Sequence, residues 1–395
     1  MKYLKEFETT ADYATYSADT ENFILPNVSV CNDDIYKVYY NRPLPPSDGK
    51  VVIIYNVTDA SQPTKLYTCY GGFGPLIPIS DGGLIPLGPS LDDSEANSDS
   101  YTCGSETFDD IEIDGVSVSI ESLDAANGLY SLSAGRHEVR YAFKNEEEIA
   151  AYIFSGCTSI VSVTIPDTFV TIGNSAFNGC SNLSSLNISG TIESMGYSSF
   201  YGCTSLPAEN GIIYVQDYLI QVSDATLQTY TIKSTAKVIC DSAFEACTNI
   251  TGITIPDSVT EIRDSAFNGV STLTDVAIGN GVKSIGMYAF SRCSNISSCT
   301  IGNSLEVIDS QAFEMCSGLN EITLPASMKT IGDSVWAYTA GLELTVLATT
   351  PPTCGWQIFY SSSCSIYVPS ASVDAYKAAE GWSFYDTSIY PIPIE

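Results

Sequence analysis

The chain has 395 residues, of which 44% are hydrophobic and 11% aromatic, so general disorder is excluded and two or three domains are expected. Its 46 acidic and 16 basic residues give a net charge of -30, which disfavours nucleic acid and anionic membrane surfaces as partners. No window contains the roughly 18 apolar residues of a membrane-spanning helix, so membrane insertion is not expected.

Residues 1–45 are expected to form an N-terminal segment with one helix and one β-hairpin. The helix is predicted near residues 7–16. Residues 27–31 and 36–40 are short runs rich in Val and Tyr, which predict the two strands of the hairpin.

Residues 46–143 are predicted to form a small all-β, sandwich-like module, because short apolar runs are separated by turn residues. Asp114 and Gly115 lie between two of these runs and are a strong hairpin signal. Residues 71–100 are rich in Gly, Pro, Ser and Asp and are predicted to be a long loop. The predicted strands are residues 51–57, 65–69, 111–113, 116–120 and 138–143.

The same module contains an acidic stretch, since residues 66–135 include no Lys or Arg. Clustered carboxylates are the ligands that calcium prefers, so one interpretation is a divalent cation site. The other is a solvated acidic loop, which the absence of EF-hand spacing favours. The carboxylates concerned are Asp92, Asp93, Glu95, Asp99, Glu106, Asp109, Asp110, Glu112 and Asp114.

Catalytic chemistry has little support in the sequence. The only histidine, His137, lies at the start of a predicted strand, and as a general base it would need a Ser or Cys nucleophile from elsewhere. The glycine-rich nucleotide motifs and the H-E-x-x-H zinc motif do not occur. We therefore expect no enzyme, no catalytic residue, no metal site and no cofactor.

An aromatic residue followed three positions later by a small residue recurs every 23 residues in the second half of the chain. A period of this size is typical of a solenoid, in which each repeat buries its apolar side against its neighbours. The aromatic positions are Phe154, Phe177, Phe200, Phe244, Phe267, Phe290, Phe313, Trp336 and Phe359. The small positions are Cys157, Cys180, Cys203, Cys247, Val270, Cys293, Cys316 and Thr339, so this position is predicted to be a packing plug.

Within one repeat, a short strand with one buried face is expected. Ile160, Val163 and Ile165 are predicted to face the core, and the alternating Ser162 and Thr164 to face outward. The proline that follows would end the strand.

Residues 163–180 (VTIPDTFVTIGNSAFNGC) and 253–270 (ITIPDSVTEIRDSAFNGV) resemble the BspA-type leucine-rich repeat of bacterial surface proteins. The resemblance covers roughly residues 144–395, because the strand, the proline, the isoleucine turn and the Ala-Phe pair recur in phase. It implies a β-rich leucine-rich-repeat solenoid of about ten repeats with a C-terminal cap, after the sandwich-like module. It also implies adhesion or ligand display rather than a reaction.

The repeat is irregular between Leu206 and Thr229. There residues 211–220 are predicted to form a hairpin around Gln216 and Asp217, which replaces the usual back of one repeat. The last two repeats are predicted to cap the core. Two disulfides are conceivable from the cysteines outside the ladder, joining Cys69 with Cys103 or Cys354 with Cys364.

Binding is the class of function that remains, with a protein or glycan ligand. The outward strand positions are small and polar, and they include Thr229, Thr231, Gly252, Thr254, Asp275, Ala277, Ser298 and Thr300. Exposed tyrosines anchor interfaces well, so a binding site is predicted at a tyrosine cluster around the irregular repeat. Its members are Tyr197, Tyr201, Tyr214, Tyr218 and Tyr230.

Two hypotheses about function follow. The first is a non-enzymatic recognition or adhesion protein at the cell surface or outside the cell, and the alternative is a structural stalk of a surface or phage assembly. Residues 1–8 lack the apolar segment of a secretory signal, so the route of export is not evident from the sequence.

Overall fold

The computed structural model describes residues 49–58, 60–61, 63–66, 107–125 and 129–393, together with the backbone of residues 4–7, 29–30, 36–39, 76–78 and 84–86. The strands of the first half are β1 (Leu4–Phe7), β2 (Ser29–Val30), β3 (Tyr36–Tyr39), β4 (Val51–Val57), β5 (Thr64–Lys65), β6 (Leu76–Pro78), β7 (Leu84–Pro86), β8 (Phe108–Ile113), β9 (Val116–Ser117), β10 (Leu129–Tyr130), β11 (Gly135–Phe143), β12 (Glu148–Ile149), β13 (Ile160–Ile165), β14 (Thr171–Ile172), β15 (Ser185–Ile188) and β16 (Ser194–Met195).

The second half continues with strands and a few short helices. Its strands are β17 (Ala208–Glu209), β18 (Ile212–Val215), β19 (Tyr218–Val222), β20 (Val238–Ile239), β21 (Gly252–Ile255), β22 (Glu261–Ile262), β23 (Asp275–Ile278), β24 (Ser284–Ile285), β25 (Ser298–Thr300), β26 (Val307–Ile308), β27 (Glu321–Leu324), β28 (Thr330–Ile331), β29 (Leu342–Val346), β30 (Thr353–Cys354), β31 (Cys364–Val368) and β32 (Ile389–Pro391). Among the described residues, the helices are α1 (Ile120–Ala125), α2 (Val373–Ala378) and the 3-10 helices Ser370–Ser372 and Trp382–Ser388.

The chain forms two compact units. The first contains residues 1–172 and 182–194, and the second contains residues 173–181 and 195–395.

A six-stranded sheet in the order β15-β13-β4-β11-β8-β9 organises the first unit. Strand β4 pairs antiparallel with β11 on one side and with β13, the first long strand of the repeats, on the other. Its buried side chains alternate with less buried ones, as predicted for residues 51–57. No interruption of this sheet marks the domain boundary predicted between residues 143 and 144, which stays a prediction.

Elsewhere in the N-terminal part, β2 and β3 pair antiparallel, which confirms the hairpin predicted there. The strand predicted at residues 116–120 ends earlier, at Ser117, because the Ser119 hydroxyl accepts the Ser122 N–H (3.2 Å) and starts α1. The helix predicted near residues 7–16, beyond Phe7 at the end of β1, lies outside the described residues. Most of the acidic stretch and the cysteine pair Cys69 and Cys103 also lie outside the described residues. Within the long loop predicted at residues 71–100, β6 and β7 pair antiparallel, so the loop prediction is wrong for that part.

The repeats form a β-solenoid of about eleven turns of about 23 residues. On one side of the second unit, which we call the back face, short strands make a nine-stranded sheet ordered β17-β18-β19-β20-β22-β24-β26-β28-β30. On the other, the front face, longer strands make the separate sheets β21-β23-β25 and β27-β29-β31-β32. Pairing along both faces between successive turns is parallel, as a one-direction coil requires.

The predicted aromatic ladder fills the space between the two faces. Neighbouring ring centroids lie 4.6 to 6.5 Å apart, with interplanar angles of 3 to 19°. Such near-parallel packing of large rings adds buried apolar area in every turn. The stacked residues are Phe244, Phe267, Phe290, Phe313, Trp336 and Phe359, all of them buried.

The small position three residues after each ring is buried, as a packing plug should be. It also has a function that the sequence did not indicate. The thiols of Cys203, Cys293 and Cys316 each donate to the carbonyl oxygen of the aromatic residue 26 positions earlier, at 3.1 to 3.2 Å. Thr339 keeps this hydrogen bond with its hydroxyl at 3.3 Å, whereas Val270 has no donor to make it.

Left-handed residues set the direction of the backbone around each ring. Ser265 and Gly269, on either side of Phe267, have φ angles of 55° and 75°. In this conformation the N–H groups of all three residues donate to carbonyl oxygens 22 positions later, at 2.7 to 2.8 Å. Glycine adopts positive φ without strain, but Arg292 and Met315 occupy the position of Gly269 in later turns.

The irregular repeat contains the predicted hairpin. Strands β18 and β19 pair antiparallel around Gln216, which has a φ of 50°, and β19 continues the back sheet by pairing with β20. At the other end, the last turns are closed by the buried Tyr376 and Trp382, whose polar atoms donate to the Ala348 and Pro352 carbonyl oxygens (both 2.8 Å). The C-terminal cap was therefore predicted correctly.

The disulfide conceivable between Cys354 and Cys364 is not formed, because both are free thiols. Burial raises the pKa of Cys354 to about 12 and that of Cys364 to about 11. Their thiolate forms are therefore scarce at neutral pH.

The ladder makes a first prediction. Phe290→Ala should lower the free energy of unfolding by about 3 to 5 kcal/mol, because a ring in contact with both neighbours leaves a cavity. Cys293→Val should cost about 1 kcal/mol or less, since it loses one weak hydrogen bond and copies Val270. Urea unfolding of each variant measures both values. An equal loss in the two variants would show that the ring and the plug are wrongly assigned.

A second prediction concerns the thiols. Cys240, Cys247, Cys293 and Cys316 are buried, and burial raises the pKa of each of them. At pH 8 these thiols should be inert to Ellman's reagent in the folded protein and react fully in guanidinium chloride. Peptide mapping after alkylation identifies which cysteines react. Rapid labelling of Cys293 in the folded protein would contradict its place in the core.

Candidate functional site

The five predicted site tyrosines do not form one exposed cluster. Tyr197 and Tyr201 are exposed, with 51% and 41% of their surface accessible, and Tyr214 is half-buried. Tyr218 and Tyr230 are buried, at 8% and 7%. The expectation that all five present their rings to a ligand is therefore wrong for Tyr218 and Tyr230.

The buried members of the set support the irregular repeat. The Tyr230 ring packs edge-on against Phe244 at 5.4 Å, where the regular ladder lacks a ring, and its hydroxyl donates to the Asp224 carbonyl oxygen (2.5 Å). The Tyr214 hydroxyl accepts the Lys233 N–H (3.1 Å), and the Lys233 ammonium lies 4.5 Å from the Tyr214 ring centroid. These tyrosines hold the hairpin in place, so replacing them would disturb the fold.

Arg263 connects the exposed Tyr197 with the buried Tyr218. Its guanidinium carbon lies 5.5 Å from the Tyr197 ring centroid and 5.8 Å from that of Tyr218. Its side chain is only 11% exposed and also contacts Glu261 (3.3 Å) and the Gly196 carbonyl oxygen (3.4 Å). A guanidinium that lies between two rings and contacts a carboxylate is a structural clamp.

Arg263 also explains an unusual carboxylate. In a regular turn Asp264 accepts the N–H of Met287 (2.8 Å), and this needs glycine at position 286, where an added Cβ would lie 2.4 Å from the Asp264 oxygen. One turn earlier the equivalent acid is Asp241, and the position of that glycine is occupied by Arg263. The side chain of Asp241 therefore cannot reach the next turn in the regular way.

Asp241 binds the Ser198 N–H instead (2.5 Å, through Oδ2). Its Oδ1 is buried and, among the described residues, has no hydrogen-bond partner. It borders a cavity of about 10 Å³, which is room for about one water molecule. Burial raises the pKa of Asp241 above 3.8, although the Ser198 N–H and Arg263 oppose this shift.

A third prediction concerns this carboxylate. Because its folded-state pKa is raised, the folded protein loses stability as the pH rises from about 3.8 through that pKa. Asp241→Asn removes the charge, so it should stabilise the protein at pH 7 and have little effect at pH 3.5. Urea unfolding between these pH values measures the difference. Asp333→Asn is the control, because its carboxylate accepts the Trp356 N–H in the regular way (2.6 Å). A variant less stable than the wild type at pH 7 would contradict the assignment.

His137 is part of a surface hydrogen-bond chain. Its Nδ1 lies 2.7 Å from Asp114, and its Nε2 lies 2.9 Å from the Ser133 carbonyl oxygen and 3.3 Å from the Ser133 hydroxyl. Burial lowers the pKa of His137, but the hydrogen bonds to Asp114 and Ser133 outweigh it and raise the pKa. Nδ1 faces a carboxylate and Nε2 faces a carbonyl oxygen, so the imidazole is held in a local hydrogen-bond network.

A groove on the front face brings together much of the predicted strand stripe. Its volume is about 610 Å³, and Tyr230 and Ile232 form part of its wall. Asp275 is its only carboxylate, so the groove offers hydroxyl groups and backbone but no acid–base pair. The outward positions that line it are Thr229, Thr231, Gly252, Thr254, Asp275, Ala277, Ser298 and Thr300. We call this the front groove.

The described part of the chain contains neither a cluster of metal ligands nor a membrane-spanning helix. No group of three or more His, Cys, Asp or Glu side chains there could hold a metal ion. None of the helices described is long and apolar enough to cross a membrane.

Comparisons with known proteins agree with the repeat architecture. A family profile described as the BspA type leucine rich repeat region matches in six copies, over residues 141–251 and 237–366. No curated protein sequence matches the chain significantly.

Several solved structures are similar to the chain. A leucine rich cell surface protein from Faecalibacterium prausnitzii A2-165 shares 24% identity over 47% of this chain and 52% of its own, with a TM-score of 0.32. A Leucine Rich Repeat protein of T. pallidum shares 27% identity over 44% and 71%, with a TM-score of 0.27. A leucine-rich repeat protein from Bacteroides ovatus ATCC 8483 shares 21% identity over 66% and 72%, with a TM-score of 0.33. The chain spans about half of the length of the first.

The family match covers more than half of the chain, and the stacked rings, plugs and parallel strands are the physical form of its repeats. This chain belongs to the BspA-type leucine-rich repeat family, whose members are repeat proteins of the bacterial surface type.

Proposed function

We propose that this chain is a non-enzymatic recognition protein of the bacterial cell surface and that its ligand binds in the front groove. The observation that carries the proposal is the groove itself. A volume of about 610 Å³ lies within the range of small-molecule and peptide sites. The lining combines outward strand side chains with buried residues such as Tyr230 and Ile232.

The chemistry of the groove supports binding rather than turnover. Hydroxyl groups of Thr and Ser can donate and accept hydrogen bonds, but without a neighbouring base they are poor nucleophiles. Asp275 is exposed, and no second carboxylate lines the groove to share acid–base work with it. A single carboxylate beside hydroxyl groups is suited to holding a polar or cationic ligand.

The charge of the chain supports the same conclusion. With a net charge of -30, the protein attracts basic ligands and repels acidic ones over distances of about one Debye length. Family membership supports a location on the cell surface, where a host or bacterial protein or glycan would meet the groove.

The exposed tyrosines remain a second proposed contact. Tyr197 and Tyr201 have accessible rings on the irregular repeat, and a tyrosine combines apolar area with a polar tip at low entropic cost. Tyr214, Tyr218 and Tyr230 would contribute indirectly, by holding this region in shape.

A fourth prediction tests the groove with a matched pair of variants. Ala277→Arg places a long side chain in the groove, whereas Thr323→Arg places one at the equivalent outward position of β27, outside it. Binding to protein and glycan arrays and to cultured host cells is measured for the wild type and for both variants. We expect Ala277→Arg alone to weaken binding, by about tenfold or more, because it fills the site without touching the core.

Other outcomes would decide against the groove. If both arginine variants bind like the wild type and Tyr201→Ser does not, the exposed tyrosines form the site. If the wild type binds nothing on arrays or cells, the alternative of a structural stalk is favoured.

A further inference from the structure

We propose that the ligand of the front groove is an extended polypeptide segment, which adds a strand to the exposed edge of β21. This inference rests on the proposed function and names the class of ligand and the way in which it binds.

The front sheet is interrupted at β21. β21 pairs with β23, and in the three-stranded sheet β21-β23-β25 it has no partner on its other side. Residues 229–232, one turn earlier, carry the alternating pattern of a front strand but form no strand. Both segments line the front groove, so the edge of β21 faces an open space.

The unpaired backbone groups on this edge belong to Gly252 and Thr254. Asp275 donates its N–H to the Thr251 carbonyl oxygen (3.1 Å), which fixes the side of β21 that faces β23. Backbone groups of successive strand residues point alternately to the two sides, so Gly252 and Thr254 direct their N–H and C=O groups toward the groove. Within the described residues, no backbone group pairs with them there.

The gap between β21 and residues 229–232 is fixed by hydrogen bonds on both sides, so it cannot simply close. Beyond each end of β21 the two turns are joined directly, by the Thr248 N–H to the Ala225 carbonyl oxygen (3.4 Å) and the Thr260 N–H to the Lys237 carbonyl oxygen (2.8 Å). The unpaired edge is therefore a short slot held at both ends. A ligand can pair with about four residues there, or about 13 Å of extended chain.

The residues around the edge of β21 favour one kind of peptide. Backbone pairing supplies affinity in strand addition, and side-chain positions supply selectivity. Gly252 and Ala277 are small, and a Cβ added to Gly252 would meet only Asp275, at 3.7 Å, so alternate ligand side chains have space. The exposed carboxylate of Asp275 favours a basic residue at one of them.

The test uses two substitutions at one position. Thr254→Pro removes the N–H that faces the groove and leaves the bonds to β23, as edge strands tolerate. Thr254→Val keeps this N–H and removes only the hydroxyl group. Both full-length variants, and the wild type, are applied to an array of random linear peptides and to a glycan array. Thermal unfolding verifies that both variants are folded.

We expect the wild type to capture linear peptides with basic residues. Affinity for the best of them should fall by about tenfold in Thr254→Pro and stay close to the wild-type value in Thr254→Val. A second measurement does not depend on the fold of any variant. Methylating single backbone nitrogens of that peptide should abolish binding at alternate positions only.

Several results would overturn strand addition. These are full affinity in Thr254→Pro, equal loss in both variants, tolerance of every backbone methyl group, or self-association of the protein through this edge. If only glycans bind and Ala277→Arg abolishes their binding, the proposed function stands and strand addition is wrong. If peptides bind and Ala277→Arg has no effect, the groove itself is wrong.

Discussion

The structure of the repeats depends on one constraint: no turn can bury its own aromatic ring. Each ring of the regular ladder stacks against the rings of neighbouring turns, with centroids 4.6 to 6.5 Å apart. The left-handed residues beside each ring serve this stacking, because they point three N–H groups per turn at the next turn. The plug, the parallel strands and the C-terminal cap all follow from the need to keep adjacent turns in contact.

One substitution in a regular repeat shows the cost of leaving this pattern. Arg263 stands where other turns have a glycine that accommodates the neighbouring Asp, so Asp241 lacks its regular partner, and one of its buried oxygens has no hydrogen-bond partner among the described residues. Arg263 offsets part of this cost by clamping Tyr197 and Tyr218. The front groove has a separate origin, because it lies beside residues 229–232, which form no front strand.

The period and burial of the repeats could be predicted from the sequence because they are local and periodic. The ring positions, the hairpin around Gln216 and the cap were all predicted correctly. The candidate site was predicted less well, because the exposure of a tyrosine depends on its neighbours in space. Tyr230 fills a gap in the ladder, and no sequence period shows that. The hydrogen bond of the Cys293 thiol and the unpaired edge of β21 depend on contacts between turns, which a residue pattern does not specify.

The antiparallel pairing of β4 with β13 affects how copies of the protein can associate through their strand edges. The last strand of a parallel sheet has unpaired backbone groups on its outer edge. A parallel strand of another copy can pair with this edge, and repeated pairing of this kind gives an end-to-end polymer. β4 pairs with the edge of β13 and runs in the opposite direction. Beyond β4 the sheet continues through β11, β8 and β9, which also pair antiparallel. A second solenoid meeting this sheet therefore finds no parallel strand to continue.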